Sequence, residues 1–379
     1  MLLEVYDKYT RLRIDVIRKF TFAQYEEKFC DVGSFTIKIP YNESSIPNLK
    51  RDNYILLDKD VVGIIKYKHK ISDEQNSSLE IRGYLLNYLL SYRSFLKTTK
   101  YSGNIVTIAR EMVNDLCISN NDSRRNFGFI KLSNDSKYIP NVNINITYQN
   151  TGDKLSDVLN DILDGESLGY KLVPELVNYD EKSGIDTNMK SFEFRLYKSE
   201  NRTVSNGVNV PVVFSIDLNN LSVIDYTEDN TEYKSVGIVA GEGEGSNRKI
   251  VEAGSIDLTG LDRIEYYIDA RDLQSEIDGE KIPEKQYEEM LIQRGKEKLQ
   301  SSHTVVTVDG TTVQNDKTYK YGIDYNLGDF VTLRDNDLCI DFDLQITSVT
   351  KSISENGEIT DIKFGREKLS LNKIVKRGK

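Results

Sequence analysis

Two short segments at opposite ends of the chain restrict its fold more than anything between them. The first runs Cys30, Asp31, Val32, Gly33, Ser34, Phe35, Thr36, Ile37, Lys38, Ile39, Pro40. The second runs from Tyr321 through Asp324, Tyr325, Leu327, Gly328 and Asp329 to Phe330, Val331, Thr332 and Leu333. In each, a glycine turn feeds an alternating strand, the period of a sheet with one buried face. Pro40 ends the first strand. Further on, Ile340, Phe342, Leu344 and Ile346 alternate with Asp341, Asp343 and Gln345 without exception. The spacing predicts β-structure at both ends of the chain, which excludes a helical bundle.

Between these ends the pattern changes. Residues 1–97 read as antiparallel strands: Leu12, Ile14 and Val16 alternate, Tyr54–Leu57 and Val61–Tyr67 flank a hairpin turn at Lys59 and Asp60, and Ser78–Tyr84 runs into a helical turn over 85–93. Residues 98–200 read as a small α/β domain. Ser102, Gly103 or Asn104 caps a helix whose apolar face is Ile105, Ile108, Ala109, Met112, Val113 and Leu116. A polar stretch over 119–141 reads as a surface loop. Thr151 or Asp153 caps a second helix with Leu155, Val158, Leu159, Ile162 and Leu163 at helical spacing. Residues 201–379 return to strands, interrupted by a helix over about 283–300 that starts at Pro283. Only Tyr287, Met290, Leu291 and Leu299 of that helix are fit for burial, which places it on a surface or between subunits. The predicted class is α+β and β-dominated: two barrel- or sandwich-like β domains with an α/β insertion and a surface helix.

Composition excludes several functions. The chain has 379 residues and a formal net charge of -10, so it lacks a broad electrostatic footprint for nucleic acid. Its three cysteines, Cys30, Cys117 and Cys339, are too sparse for a disulfide framework or a zinc cage. No apolar stretch approaches the ~18 residues of a membrane span, and the acidic start of the chain is no signal peptide.

The chemical motifs thin out on inspection. Gly241, Glu242, Gly243, Glu244 and Gly245 have the look of a phosphate cradle, but the glutamates repel phosphate and no helix follows directly. They read as a flexible loop that lines a channel or touches a neighbour in an assembly. Asp335, Asn336 and Asp337, with Asp341 and Asp343 beyond, lack the glycine and glutamate of a calcium loop and read as a polar turn and an outward strand face. His69 and His303 are the only histidines and belong to no paired metal motif or nucleophile elbow. Cys117 reads as a packing residue. Basic runs occur at Lys66–Lys70, a solvated strand face, and at Lys373–Lys379, a tail. No catalytic, metal or cofactor residue is expected. A cell-wall hydrolase would need a cleft that the motifs do not supply, and a carbohydrate-binding adhesin is favoured only by the abundant tyrosines.

Several motifs fall in a fixed order: Gly33, Ser34 and Phe35 to Pro40; Ile81, Arg82, Gly83 and Tyr84 to Arg93; Tyr148 to Leu155; Gly260 to Arg263 and Glu265; then Tyr321, Tyr325, Gly328, Asp329 and Val331. In that order the chain resembles the siphophage tail-hub family, the N-terminal module of tail-associated (Tal-type) proteins, with related hubs in contractile tails and phage-tail-like bacteriocins. The resemblance implies a ring-forming homo-oligomer, commonly a homotrimer, at the tail tip of a virion. Each subunit would carry two tube-like β domains facing a hexameric tail tube. The implied partners are the tail tube or distal tail protein, the tape-measure protein and other baseplate proteins. It gives Gly33, Phe35, Pro40, Gly83, Arg263, Tyr325, Gly328 and Asp329 structural roles. The chain ends soon after its last β block, without room for the C-terminal lysin domain that many members carry.

Overall fold

The computed structural model describes residues 2–40, 44–72, 77–177, 188–277, 280–300, 302, 305–312, 318–336, 340–355 and 357–365. Seven strands come first: β1 (Leu3–Tyr6), β2 (Arg13–Ile17), β3 (Phe22–Lys28), β4 (Ser34–Pro40), β5 (Tyr54–Asp58), β6 (Val61–Ser72) and β7 (Ser77–Leu85). They pair antiparallel in the order β3-β4-β7-β6-β5-β1-β2. Alternate side chains leave a strand on opposite faces. One face therefore collects Val5, Ile17, Tyr25, Ile37, Ile55, Ile65 and Ile81 into one buried cluster. Every one of the seven strands contributes to it, so the sheet curls around its own core.

The next block holds β8 (Thr99–Asn104), α1 (Ile105–Val113), β9 (Ile130–Leu132), β10 (Asn145–Asn150), α2 (Leu155–Leu163), β11 (Leu168–Val177) and β12 (Asn188–Lys198). Asn104 caps α1, its side-chain oxygen accepting from Val106 N at 3.0 Å. Neither expected cap serves α2, which starts after Lys154 without a side-chain cap. Asp153 instead accepts from Asn150 Nδ2 at 2.7 Å. The stretch 119–141, expected to be loop, contains β9, which runs parallel to β12 and buries Ile130. Three residues carry too little alternation to announce a strand. The core of this block is continuous with Tyr6, Tyr54, Val62 and Ile64 on the other face of the first sheet.

A third group follows the short strands β13 (Asn201–Arg202) and β14 (Val213–Phe214) and the longer β15 (Leu221–Asp229). It contains β16 (Val236–Ala240), β17 (Ile250–Gly254), β18 (Glu265–Asp269), a small hairpin of β19 (Glu276–Ile277) and β20 (Glu280–Lys281), and α3 (Glu284–Gln300). The sheet β17-β16-β18 is covered on one face by α3 through Val239, Ala253, Ile268, Met290 and Leu291. Gly295 lets the helix come close, since a Cβ there would lie 2.5 Å from Ala253 Cβ. The opposite flank of α3 meets β10, and Lys100 Nζ of the neighbouring β8 donates to Gln286 Oε1 at 2.6 Å. The helix thus keeps a charged outer side and is wedged between its own small sheet and the α/β block.

The last group is β21 (Val305–Thr312), β22 (Phe330–Asp335), β23 (Ile340–Ser354) and β24 (Gly357–Gly365). With β15 they form the order β15-β21-β24-β23, while β22 pairs with β23 and, in parallel, with β13 and β14. Their core is Phe214, Tyr325, Val331, Leu333, Ile346, Ile362 and Phe364. β23 also pairs antiparallel with β3, from Ser348 opposite Lys28 to Ser354 opposite Phe22. That seam joins the two strand groups, each with its own core, into one 14-stranded sheet.

Candidate functional site

The C-terminal glycine signature packs on an aromatic residue that the sequence did not single out. Phe29 follows β3, donates its N–H to Thr347 O at 3.0 Å and accepts from Tyr170 N at 3.3 Å. Its ring lies against Gly328, which has φ +94, and a Cβ there would sit 2.1 Å from the ring. On the β11 side, a Cβ on Gly169 would sit 2.5 Å from the same ring. Phe29 therefore joins the first strands, the α/β block and the C-terminal strands. The sequence offered only an aromatic at a strand end, which is no signal by itself.

The remaining signature residues fall into separate places. Gly33 O accepts from Leu85 N at 2.9 Å, and Phe35 lays its ring over Gly63 and Gly83, where a Cβ would come within 2.4 and 2.7 Å of it. Pro40 ends β4 opposite Ser78. Tyr325 is buried edge-on to Phe214 at 5.2 Å. Asp329, only 3% exposed, accepts from Asn326 N at 2.8 Å, Arg202 Nε at 3.0 Å and Glu200 N at 3.2 Å. Burial still holds its carboxyl above the usual range, against those donors. Arg263 sits apart, bridging Glu252 and Glu265 across the small sheet.

A polar cluster lies beside the Phe29 joint. Lys171 of β11 reaches the buried Glu27 of β3 at 2.5 Å and Asp60 at 3.6 Å, and Tyr321 lies 3.5 Å from Glu27. Burial alone would lower the Lys171 ammonium, but the two carboxylates outweigh it and hold the group up at about 12. Asp58 accepts from Tyr25 at 2.5 Å and from Lys351 at 3.1 Å, tying β5 to β3 and β23. Glu297 of α3, its side chain 9% exposed, is pushed up to about 8 by burial and by Asp161 of α2, against the pull of Arg294 at 3.9 Å.

The loop from Gly241 to Gly245 is partly occupied within its own chain. Glu242 N accepts no role in a phosphate cradle: it donates to the Tyr287 hydroxyl at 2.8 Å, while the Glu242 carboxylate takes Ser275 Oγ at 2.6 Å. Gly243, Glu244 and Gly245 are exposed.

A cleft of about 520 Å³ opens on the uncovered face of the large sheet across the β3–β23 seam, with Gln24, Glu26, Thr36, Asp225, Asp361 and Lys363 among its lining. Its lining offers carboxylates, hydroxyls and one cation. Among the described residues no group of three or more His, Cys, Asp or Glu is placed to hold a metal ion. His69 is exposed beside Tyr67, with ring centroids 6.2 Å apart. Burial pushes the Cys117 thiol up to about 12, which suits a packing residue and not a nucleophile. His303, Cys339, Asp337 and the basic tail lie outside the described residues. No helix among the described residues is long and apolar enough to cross a membrane.

The fold is similar to that of several solved tail proteins, two of them from prophages. It matches the tail protein from Neisseria meningitidis MC58 at 13% identity, covering 96% of this chain and 97% of that one, with a TM-score of 0.56. It matches the 43 kDa tail protein of prophage MuSo2 from Shewanella oneidensis at 11% identity, covering 97% and 98%, with a TM-score of 0.57. It matches prophage tail protein gp18 from Listeria monocytogenes EGD-e at 14% identity, covering 100% and 98%, with a TM-score of 0.55. No curated protein sequence matches the chain. The fold is β-dominated and α+β, as in these tail proteins. The chain belongs to the family described as Siphovirus ReqiPepy6 Gp37-like protein, whose pattern spans residues 2–366.

Proposed function

We propose that this chain is a tail protein, a structural hub at the distal end of the tail of a phage or of a phage-tail-like particle. Copies of it form a ring that joins the tail tube to the tail tip or baseplate and encloses the DNA channel. The observation that carries this reading is the β3–β23 seam, which sets two strand groups with separate cores side by side in one chain. Three such chains present six strand groups, which suits a hexameric tube. The proposed division is a β domain over residues 1–97, an α/β domain over 98–200 and a second β-rich domain over 201–379. In the ring, Gly33, Phe35, Gly83, Tyr325, Gly328 and Asp329 keep strand entries and the joint in shape, Pro40 ends β4, and Arg263 ties the small sheet. Glu26, Asp225 and Asp361 on the uncovered sheet face would give the channel an acidic wall that DNA passes without adhering. The partners are the tail tube or distal tail protein, the tape-measure protein and the other tip proteins, and the place is the tail tip of the virion.

The test is native mass together with averaged electron micrographs of the purified protein. A threefold ring with a central opening is expected. A monomer at the highest attainable concentration would overturn the reading.

A further inference from the structure

Among the described residues, two exposed surfaces are opposite in character. The first is on β6 and β7. Tyr67, Arg82 and Tyr84 stand on one face there, with Tyr67 opposite Arg82 in the register and 49% exposed. Tyr84 stacks on Tyr88 at 4.5 Å, Tyr88 meets Tyr92 edge-on at 5.3 Å, and Lys66 lies over both Tyr88 and Tyr92. The rings hold one another in place, so they lose little freedom on being covered. Tyrosines and arginine held this way are what anchors protein interfaces. Their faces are largely taken by each other, which leaves poor platforms for sugars or bases. The charge there is also inverted relative to the chain as a whole. Glu80 is shared by Lys38 and Arg82, and Asp52 by Lys8, Arg51 and Lys66, so five cations meet two carboxylates.

The second is the face of the small sheet that α3 does not cover. Ile250 and Glu252 of β17 share it with Glu265, Tyr267 and Asp269 of β18. Tyr267 is 58% exposed, and at the edge Leu261 is 98% exposed. Arg263 serves both Glu252 and Glu265, while Asp257 and Asp262 stand exposed nearby. On this face five carboxylates, Glu252, Asp257, Asp262, Glu265 and Asp269, meet three guanidiniums, Arg263 and the Arg248 and Arg271 that pair with Asp269. An exposed apolar surface among acidic groups is an expected partner for an aromatic, basic one.

We propose that these two faces bind each other between copies of this chain, the β6–β7 face of one copy covering the open face of β17-β16-β18 in the next. This rests on the ring-forming reading above and names the surfaces that make the ring. The two faces come from different parts of one chain, so the contact is heterologous. Such contacts run head to tail and close when the rotation allows.

The experiment is sedimentation velocity of the full chain over a concentration series, at low and high salt. Wild type is expected to self-associate, more weakly at high salt. Paired Lys38→Glu and Arg82→Glu changes, or paired Leu261→Ser and Asp262→Lys changes, are each expected to raise the association midpoint at least ~10-fold, worth ~1.4 kcal/mol. A chain carrying Lys38→Glu, Arg82→Glu, Asp257→Lys and Asp262→Lys together should regain association, because both faces have then exchanged sign. Circular dichroism checks folding, and the Leu261 site is too exposed to disturb it. If wild type stays monomeric, this inference and the ring reading both fall. If wild type assembles and every variant assembles equally, the inference falls and the ring reading stands.

Discussion

The ring of Phe29 lies so close to the Cα of Gly328 that a Cβ on Gly328 would be 2.1 Å from Cε2 of the ring. The two residues are nearly three hundred positions apart, and the contact locks the end of β3 to the turn before β22. Gly328 also has φ +94, where an L side chain is strained. Gly328→Ala should therefore cost more than ~2 kcal/mol by adding strain to overpacking. Gly103, with φ +140 and nothing within 4 Å of its added Cβ, is the control, and Gly103→Ala should cost distinctly less. Urea midpoints of the two variants against wild type check the difference, and equal losses would refute the joint.

Lys171 and Glu27 form a buried pair between β11 and β3. Lys171→Met should cost ~3–5 kcal/mol, because it leaves a carboxylate buried beside Asp60 without its cation. Adding Glu27→Leu should restore most of that loss, since the apolar pair has no charge to desolvate. The folded ammonium titrates above its ordinary 10.5, at about 12. Its stabilisation is thus complete below about pH 10.5 and lost as pH rises through about 12. Unfolding of the single and double variants at neutral pH, and of wild type in the alkaline range, measures all three.

Glu297 predicts a pH dependence of the same sign in a lower window. Its carboxyl is raised from 4.5 to about 8 in the folded chain. Between those values the folded state holds a proton that the unfolded state has lost, so this group makes stability fall as pH rises, and the fall is complete above about 8. The slope is at most ~1.4 kcal/mol per pH unit. Glu297→Gln should flatten the curve over that window and be no less stable than wild type at its upper end. A slope unchanged by the substitution would show that Glu297 is not its source.

Asp329 holds the turn before β22 to β13 through Glu200 N, Arg202 Nε and Asn326 N. Asp329→Ala removes the acceptor for all three and should cost ~2–4 kcal/mol. Hydrogen exchange should then quicken at residues 200–202 and 326–332 before the rest of the sheet. Uniform loss of protection would contradict a local role.

The legible parts of the fold were those where local period and burial agree. Phe35, Ile37 and Ile39 named the buried face of β4, and Ile105, Ile108, Ala109 and Met112 named that of α1. Pairings between distant segments left no such trace. The parallel pairing of β16 with β18 and the cover that α3 gives them depend on tertiary contact, so the small sheet was not read as a separate group. β9 was too short to show a period. Glu27 stands between Glu26 and Lys28 with no apolar neighbour to mark it as buried, yet Lys171 from another block lets it be buried. Of the proposed joint, Gly328 was visible from its place before a strand, whereas Phe29 and Gly169 acquire meaning only once three segments meet.

The β3–β23 seam has a mechanical consequence. Its seven paired positions, from Lys28 with Ser348 to Phe22 with Ser354, run along the strands. A pull along those strands loads all the cross-strand hydrogen bonds together in shear, whereas a pull across them would open the bonds one after another like a zip. The two strand groups therefore carry tension as one plate, and under strand-parallel force the connecting segments around the seam should yield before it does.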